Sequence, residues 1–300
     1  MKKKELSIIV LNYNTQDLLK NCLESLLKSD MNLKFEVIVV DNGSSDGTVE
    51  MVKRKYNWVR LITSEKNLGF AKGNNLAKND VLGDYVLFLN TDTVVNEDTL
   101  SETLEYLKKH QLGAITCKVV LPNGKLDKDT RRHFITPFIG LVHLFLGLDK
   151  LFPHSKLFSQ YWYGYINENQ IHDVDAIQGA FFLSPKKVLD EVGWFDEDYF
   201  LDGEDIDLCW KIKNAGYRIV YYPKVQITHI KGATKGKNKK SEKYLRFGER
   251  LRYKLSGVNS MEVFYRKRLW NKYPFYINLM VIVGINTLKI LRVIKYTLGI

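Results

Sequence analysis

Tyr85-Val-Leu-Phe-Leu-Asn-Thr-Asp-Thr93 decides the fold. Its apolar run, Tyr85 to Leu89, stops abruptly at Asn90, Thr91, Asp92 and Thr93. A short apolar run bounded by turn-forming residues reads as a strand buried on both faces, the habit of a parallel sheet. Parallel sheets carry their ligands in the crevice beyond the carboxyl ends of the strands. Asp92 is therefore expected at a rigid strand end facing that crevice, where a carboxylate suits Mg²⁺ or Mn²⁺ already holding a diphosphate. Taken alone, the four residues after the run are better explained as a turn and the cap of the next helix. The rest of the chain shifts that balance.

Outward from this stretch the same grammar repeats. Residues 6–12, 35–40, 58–63 and 113–121 are further apolar runs that read as strands. After the first, Thr15 is placed to cap a helix whose Leu18, Leu19, Cys22, Leu23, Leu26 and Leu27 share one face. After the second comes Asp41-Asn-Gly-Ser-Ser-Asp-Gly-Thr48, a run of turn formers, and then a helix. Asn67-Leu-Gly-Phe-Ala-Lys-Gly-Asn-Asn75 opens a third helix and Asn96 caps a fourth. The alternation argues an α/β fold, a mainly parallel open sheet with helices on both faces. All these loops then converge on one rim. Asp41 stands where it can accept from a nucleobase N–H or a ribose hydroxyl. Gly69 and Gly73 either let backbone approach a phosphate or ease helix packing. No G-x-G-x-x-G follows the first strand and no G-x-x-x-x-G-K-[ST] occurs, which counts against a dehydrogenase and a P-loop ATPase.

From 131 to 170 the pattern blurs, with Pro137 and Pro153 among Phe, Leu, Tyr and His. Residues 141–151 read as a short helix with an exposed apolar side, either an insertion packed on the core or a lid touching acceptor or membrane. Residues 173–184 read as a strand bent at Gly179, and Ser184-Pro185 as the start of a helix. Asp202-Gly-Glu-Asp-Ile-Asp207 opens another helix, which Gly216 ends. Glu204 and Asp205 fall in its first turn, where the helix dipole favours acids for stability alone. The same dipole keeps Asp205 ionised, able to take a proton from a bound hydroxyl. Residues 218–222 and 225–230 read as two short strands, the second carrying His229. A strand histidine is usually a satisfied core residue; as a neutral imidazole near Asp92 it would complete a metal site.

Charge is uneven. Residues 231–300 hold seventeen Lys/Arg and three Glu, a net of +14, so the preceding 230 residues carry −3 of the chain's +11. That asymmetry points to an anionic partner for the tail. Cys22, Cys117 and Cys209 are dispersed and odd in number, which fits a reducing compartment rather than a disulfide or metal framework. The apolar run after Met1-Lys-Lys-Lys is too short for a signal peptide.

The residues now on the page resemble glycosyltransferase family 2, the inverting enzymes of GT-A fold, and within it the rhamnosyltransferase-like branch that builds bacterial surface polysaccharide. The resemblance rests on Ser7-Ile-Ile-Val-Leu-Asn-Tyr-Asn14, residues 37–48, residues 67–75, Leu89-Asn-Thr-Asp-Thr93, Gln178-Gly-Ala180, Gly193-Trp-Phe-Asp196, Gly203-Glu-Asp-Ile-Asp-Leu-Cys-Trp210 and His229, and spans roughly residues 6–232. It implies that Asn12, Asn14 and Asp41 hold the base and ribose of a nucleotide-sugar. Asn67, Gly69, Lys72 and Asn74 would lie along its ribose and diphosphate. Asn90-Thr-Asp92 is similar to the family's Asp-x-Asp element, with Asn90 in place of the first acid. Asp92 and His229 would bind a divalent metal, Mg²⁺ or Mn²⁺. Asp205 matches the catalytic base, with Glu204 beside it. The implied donor carries thymine or uracil, with dTDP-L-rhamnose favoured and a UDP-hexose as the alternative.

The expected organisation is a catalytic domain over 1–232, split into a nucleotide-binding half (1–121) and an acceptor half (122–232). A basic amphipathic region follows over 233–300. Residues 231–240 read as a flexible basic stretch and 242–272 as one or two basic helices. Residues 275–288 are apolar but interrupted by Asn278 and Asn286, short for a span. With Lys289, Arg292 and Lys295 they read as an in-plane anchor on anionic lipid. The rival readings are a helical cap on the catalytic domain or a homodimer contact. A lipid-linked or cell-surface glycan acceptor and a place on the cytoplasmic face of the cell membrane would follow. A nucleic-acid-binding or scaffold protein would leave the acidic rim unexplained, and a nucleotidyltransferase would want a basic phosphate loop where this chain has Asn-Tyr-Asn-Thr. No nucleic-acid partner is expected.

Overall fold

The computed structural model describes residues 4–29, 33–231 and 247–298; the basic stretch at 232–246 lies outside them. Strands β1 (Leu6–Asn12), β2 (Phe35–Asp41), β3 (Arg60–Thr63) and β4 (Tyr85–Asn90) lie parallel in the order β3-β2-β1-β4. Register pairs Asn12 with Asp41 and Leu11 with Asn90, so the loops after these strands leave from one edge. Alternate residues of β1 and β4 serve two cores. Leu6, Ile8, Val10, Leu87 and Leu89 pack beneath the helices α1 (Gln16–Lys28) and α4 (Thr99–Lys109). Ile9, Val86 and Phe88 face the opposite layer. Burial on both faces is why these strands read as unbroken apolar runs. Phe88 sits against Phe182, Trp194 and Phe195, with edge-to-face geometry to the first two.

The other half of the sheet is mixed. Strand β10 (Phe181–Pro185) runs antiparallel to β4 and to β6 (Ala114–Val120), and β11 (Ile219–His229) lies parallel to β6. A three-residue strand β5 (Thr93–Val95), directly after the opening stretch, closes the edge on β11. It pairs His229 with Thr93, so the strand end bearing Asp92 and the end of β11 are neighbours. Helices α2 (Thr48–Lys55), α3 (Phe70–Asn75), α7 (Lys186–Val192) and α8 (Glu204–Asn214) complete the layers.

Several local expectations change. The two strands expected at 218–222 and 225–230 are one, with a register shift between Tyr222 and Gln226 that accommodates Pro223, a residue sheets place at bulges. The strand expected over 173–184 breaks into β8 (His172–Asp173), β9 (Ala176–Ile177) and β10, leaving residues 178–180 to line the site. Ser184-Pro185 end β10 and α7 starts directly after them with Pro185 as its N-cap residue; Ser184 does not cap, because its hydroxyl donates to Gly113 O (2.6 Å) inside the sheet. Thr15 caps α1 with no side-chain bond, because its hydroxyl donates to Asn12 instead, and Asn96 does not cap α4, whose N-cap residue is Asp98.

Residues 131–166 form an insertion tied down by Asp175, which accepts from His133 Nδ1 (2.8 Å) and from Lys213 of α8. Burial works against its charge, but the hydrogen bonds from His133 and Lys213 hold the carboxyl at about 2. Helix α5 (Pro137–Gly140), a π turn over Leu141–Leu146 and α6 (Leu148–Leu151) leave Phe138, Leu141, Phe145, Leu146 and Leu151 exposed.

The largest difference concerns the tail. The helix Phe247–Phe264 and the turns Tyr265–Leu269 and Trp270–Lys272 pack onto α8 around Tyr199, Trp210, Phe264, Tyr265 and Leu269. Arg268 makes a two-pronged ion pair to the fully buried Asp207 (2.7 and 3.0 Å), and Lys267 binds Asp196 and Asp198. These cations are paired with protein, so this part of the tail caps the catalytic domain. The last helix, Phe275–Thr297, is continuous over 23 residues, longer than the interrupted run expected. Asn278 does not break it, because its side chain accepts from the Tyr265 hydroxyl and donates to Trp270 O and Tyr273 O. By length and composition this helix is long and apolar enough to cross a membrane, and little of it is buried.

Candidate active site

At the carboxyl edge, Asn12 and Asp41 are buried side by side. Asn12 Nδ2 donates to Asp41 Oδ1 (3.2 Å), Ser44 Oγ (3.1 Å) and Thr48 Oγ1 (3.2 Å). Asn14, in the left-handed region at φ +52, accepts from Ser45 N (2.8 Å), so its side chain staples one loop to the next. Thr15 Oγ1 bridges Asn12 Oδ1 (2.7 Å) and Thr91 Oγ1 (3.2 Å), tying the loop after β1 to the opening stretch. Asp41 lines a shallow depression with Ser44, Lys53 and Thr63 beside the main cleft.

The main cleft lies next to it, with Asn67, Gly69 and Asn90 on one side and Glu204, Asp205 and His229 on the other. Six of the sequence-predicted residues therefore meet in one place. Asn42, which the sequence analysis passed over, holds the first side in shape: its amide donates to Asn67 Oδ1 and Gly69 O (3.1 Å each) and accepts from Leu68 N (2.9 Å). Gly69 has φ +88, and a Cβ there would lie 2.3 Å from Phe200 O, so backbone approach by a neighbouring loop explains this glycine. Gly73 is explained by packing, since a Cβ would meet Leu11 at 2.7 Å. Asn74 is buried and donates to Phe70 O within its own helix (2.9 Å). Lys72 does not line the cleft; it lies on the outer face of α3, 3.7 Å from Glu197. Among the described residues, the Lys and Arg side chains that line the cleft are Lys231 and Arg132.

Arg132 was not foreseen. Its guanidinium and the Asp205 carboxylate, each about nine-tenths buried, meet at 2.7 Å. Burial disfavours the charge on Arg132, but Asp205 keeps it firmly protonated. Asp205 Oδ2 also accepts from Gly179 N (3.2 Å). The carboxylate is thus fixed at the helix start by a cation and a backbone donor.

Asp92 lies at the back, buried, with its carbonyl accepting from Ile230 N (2.7 Å). Asp92 Oδ1 is 3.2 Å from His229 Nε2, and His229 Nδ1 is 2.9 Å from Oδ2 of a second buried residue, Asp127. Burial works against a charged imidazole, but the two carboxylates outweigh it and push His229 up to about 9. No cluster of three or more His, Cys, Asp or Glu with metal-binding spacing occurs among the described residues. Asp92 and His229 supply one oxygen and one nitrogen converging on a point. That set fits a Mg²⁺ or Mn²⁺ that takes its remaining ligands from phosphate and water. Tyr253, from the helix Phe247–Phe264, completes the wall: its hydroxyl accepts from Asn67 Nδ2 (2.9 Å).

Comparison with known proteins gives the family and the fold. The profile described as Glycosyl transferase family 2 matches residues 7–193. Rhamnosyltransferase WbbL of Escherichia coli K12 is 28% identical over 231 residues, covering 74% of this chain and 82% of its own length. The N-acetylglucosaminyl-diphospho-decaprenol L-rhamnosyltransferase of Mycobacterium tuberculosis is 25% identical and covers 78% of each chain. The chain spans under a third of the length of the first two curated relatives it matches. Among solved structures, GalNAc-T7 with UDP, GalNAc and Mn²⁺ superposes with TM-score 0.57 at 14% identity, over 76% of this chain and 44% of the other. Staphylococcus aureus TarS 1–349 with UDP superposes with TM-score 0.51 at 20% identity, over 75% of this chain and 60% of the other.

Proposed function

The chain belongs to glycosyltransferase family 2, and from that premise we propose that it moves a sugar, L-rhamnose from dTDP-rhamnose in the favoured reading, onto a hydroxyl of a cell-surface glycan or lipid-linked precursor with inversion. One observation carries the reading: Asn90, His229 and Asp205 line a single cleft at the carboxyl edge of the sheet, although they are far apart in sequence. The rhamnosyl donor and lipid-linked acceptor are supported by the two relatives whose own length is largely covered.

In this mechanism Asn12 and Asp41, locked together, shape the base and ribose end, and Asn67 and Gly69 lie along the ribose and diphosphate. Asp92 and His229 would hold the divalent ion, which when bound offsets charge on the departing diphosphate. Lys231, facing the cleft, adds a fixed positive charge where Lys72 does not reach. The acceptor oxygen attacks the anomeric carbon from the face opposite the diphosphate. Its proton passes to Asp205, the carbon–oxygen bond to the diphosphate breaks, and the configuration inverts without a covalent intermediate. Arg132 and the Gly179 N–H hold the Asp205 carboxylate in place and aimed.

Calorimetric titration of dTDP and UDP, with and without Mn²⁺, tests the reading, followed by a donor panel scored by nucleoside-diphosphate release. Mn²⁺-enhanced binding of dTDP and release of dTDP from its rhamnose conjugate are expected. Preference for UDP would move the assignment to a UDP-hexose, and no binding of either nucleotide would refute it.

The membrane assignment rests on the exposed apolar side chains of the insertion and of the last helix. The two form one surface, since Phe145 abuts Gly284. Arg292 and Lys295 add positive charge along the helix, which favours an anionic interface, while Lys289 is paired with Glu262 (2.6 Å). Replacing both Leu279 and Leu291, each exposed, by Glu should abolish co-sedimentation with phosphatidylglycerol vesicles. Undiminished pelleting of that double variant would sink the assignment.

A further inference from the structure

We propose that Asp127 is a positioning residue that selects the tautomer of His229, so that Nε2 is the nitrogen offered beside Asp92. The inference rests on the metal-site reading above. Asp127 was invisible in the sequence, in the irregular stretch after β6, yet it is one of the most buried acids in the chain.

An imidazole has two unlike nitrogens, and whichever accepts no proton from its surroundings must carry one. A carboxylate only accepts. In the metal-free imidazole each nitrogen faces a carboxylate, Nδ1 that of Asp127 (Oδ2, 2.9 Å) and Nε2 that of Asp92 (Oδ1, 3.2 Å). A divalent ion beside Asp92 would displace only the Nε2 proton, because Asp127 retains the one on Nδ1. Histidines that bind metals are commonly held this way, by a carboxylate on the nitrogen remote from the ion.

Asp127 can enforce that choice because it cannot turn. Its Oδ1 accepts from Lys231 Nζ (2.6 Å) and from Asp129 N (3.2 Å), the latter capping the turn Lys128–Thr130. Gln178 Nε2 approaches Oδ2 at 3.4 Å. Lys231 comes from the same chain end as His229, so one aspartate fixes both the ligand and the neighbouring cation. If the residue merely satisfied a buried histidine and lysine, its removal would cost stability and leave metal affinity alone.

The test is Mn²⁺ binding to full-length protein saturated with the nucleoside diphosphate, followed by calorimetry and by loss of the free-Mn²⁺ EPR signal. Asp127→Asn, which keeps the shape, should bind Mn²⁺ about 10- to 100-fold more weakly, with metal-free nucleotide affinity unchanged. With Mg²⁺ in place of Mn²⁺, long-range ¹H–¹⁵N spectra should show His229, assigned by comparison with His229→Gln, keeping its proton on Nδ1 alone in the wild type, and that preference lost in Asp127→Asn. Asp129→Asn, which breaks the other ion pair to Lys231 and touches no part of His229, should retain wild-type Mn²⁺ affinity. Unchanged Mn²⁺ affinity in Asp127→Asn, or an equal loss in Asp129→Asn, would overturn the proposal. A wild type whose nucleotide binding is indifferent to Mn²⁺ would remove the metal reading itself, a failure seen before any variant is made.

Discussion

Asp205→Asn keeps nucleotide binding and loses transfer, with kcat falling by about 10²- to 10⁴-fold, the usual worth of a positioned general base. The amide keeps the size of the carboxylate and one oxygen for Arg132 and the Gly179 N–H, so the helix start and the cleft wall should stand. What disappears is the proton acceptor. Calorimetry with the nucleoside diphosphate and steady-state kinetics separate the two effects, because the nucleotide end, built by Asn12, Asp41 and Asn42, is assembled without Asp205. A variant as fast as the wild type would remove Asp205 from the mechanism. Arg132→Met asks the complementary question: leaving a buried carboxylate without its cation should slow transfer as well, through Asp205 rather than through substrate contact.

Arg268→Ala should unfold early. It strips the partner from Asp207, which is fully buried and is otherwise held only by the Tyr199 hydroxyl (3.1 Å) among the bonds found for its side chain. Breaking a buried ion pair from one side costs about 3–5 kcal/mol, and at roughly 2–4 °C per kcal/mol the thermal midpoint should drop by about 10 °C. Arg268→Ala combined with Asp207→Asn should recover much of that loss, since no uncompensated charge is then buried. Thermal melts of the wild type and the two variants decide the matter. A single variant with the wild-type midpoint would show that the tail is not part of the folded unit.

The strands and helices of the first 121 residues were legible because each carries its own period: apolar runs ending in turn formers, then one-sided helices. The direction of β10 was not, since whether a strand runs with or against its neighbour is set by the path of the chain and leaves no local pattern. Strands of two or three residues, such as β5, β7 (Arg131–Arg132) and β8, are too short to show a period. In the site, Asn67, Gly69, Asn90, Glu204, Asp205 and His229 could be placed together because they end strands or start helices at one rim. Lys72 could have been excluded by the same logic. Ala71, Gly73 and Asn74 are the buried residues of that helix, and Lys72 is exposed. Arg132 and Asp127 fall where periodicity fails, and their partners Asp205 and His229 are 73 and 102 residues away. The cations of the tail were read as lipid-facing because the acids they meet, Asp196 and Asp207, belong to a distant loop and helix.

The bond from Asn67 to the Tyr253 hydroxyl joins residues 186 positions apart. At ribosomal speeds of about 5–20 residues per second, roughly ten to forty seconds of synthesis separate them. A nascent polypeptide can lay down its early strands long before Tyr253 emerges. However well those strands fold, they wait on the late-made helix for the last face of the cleft.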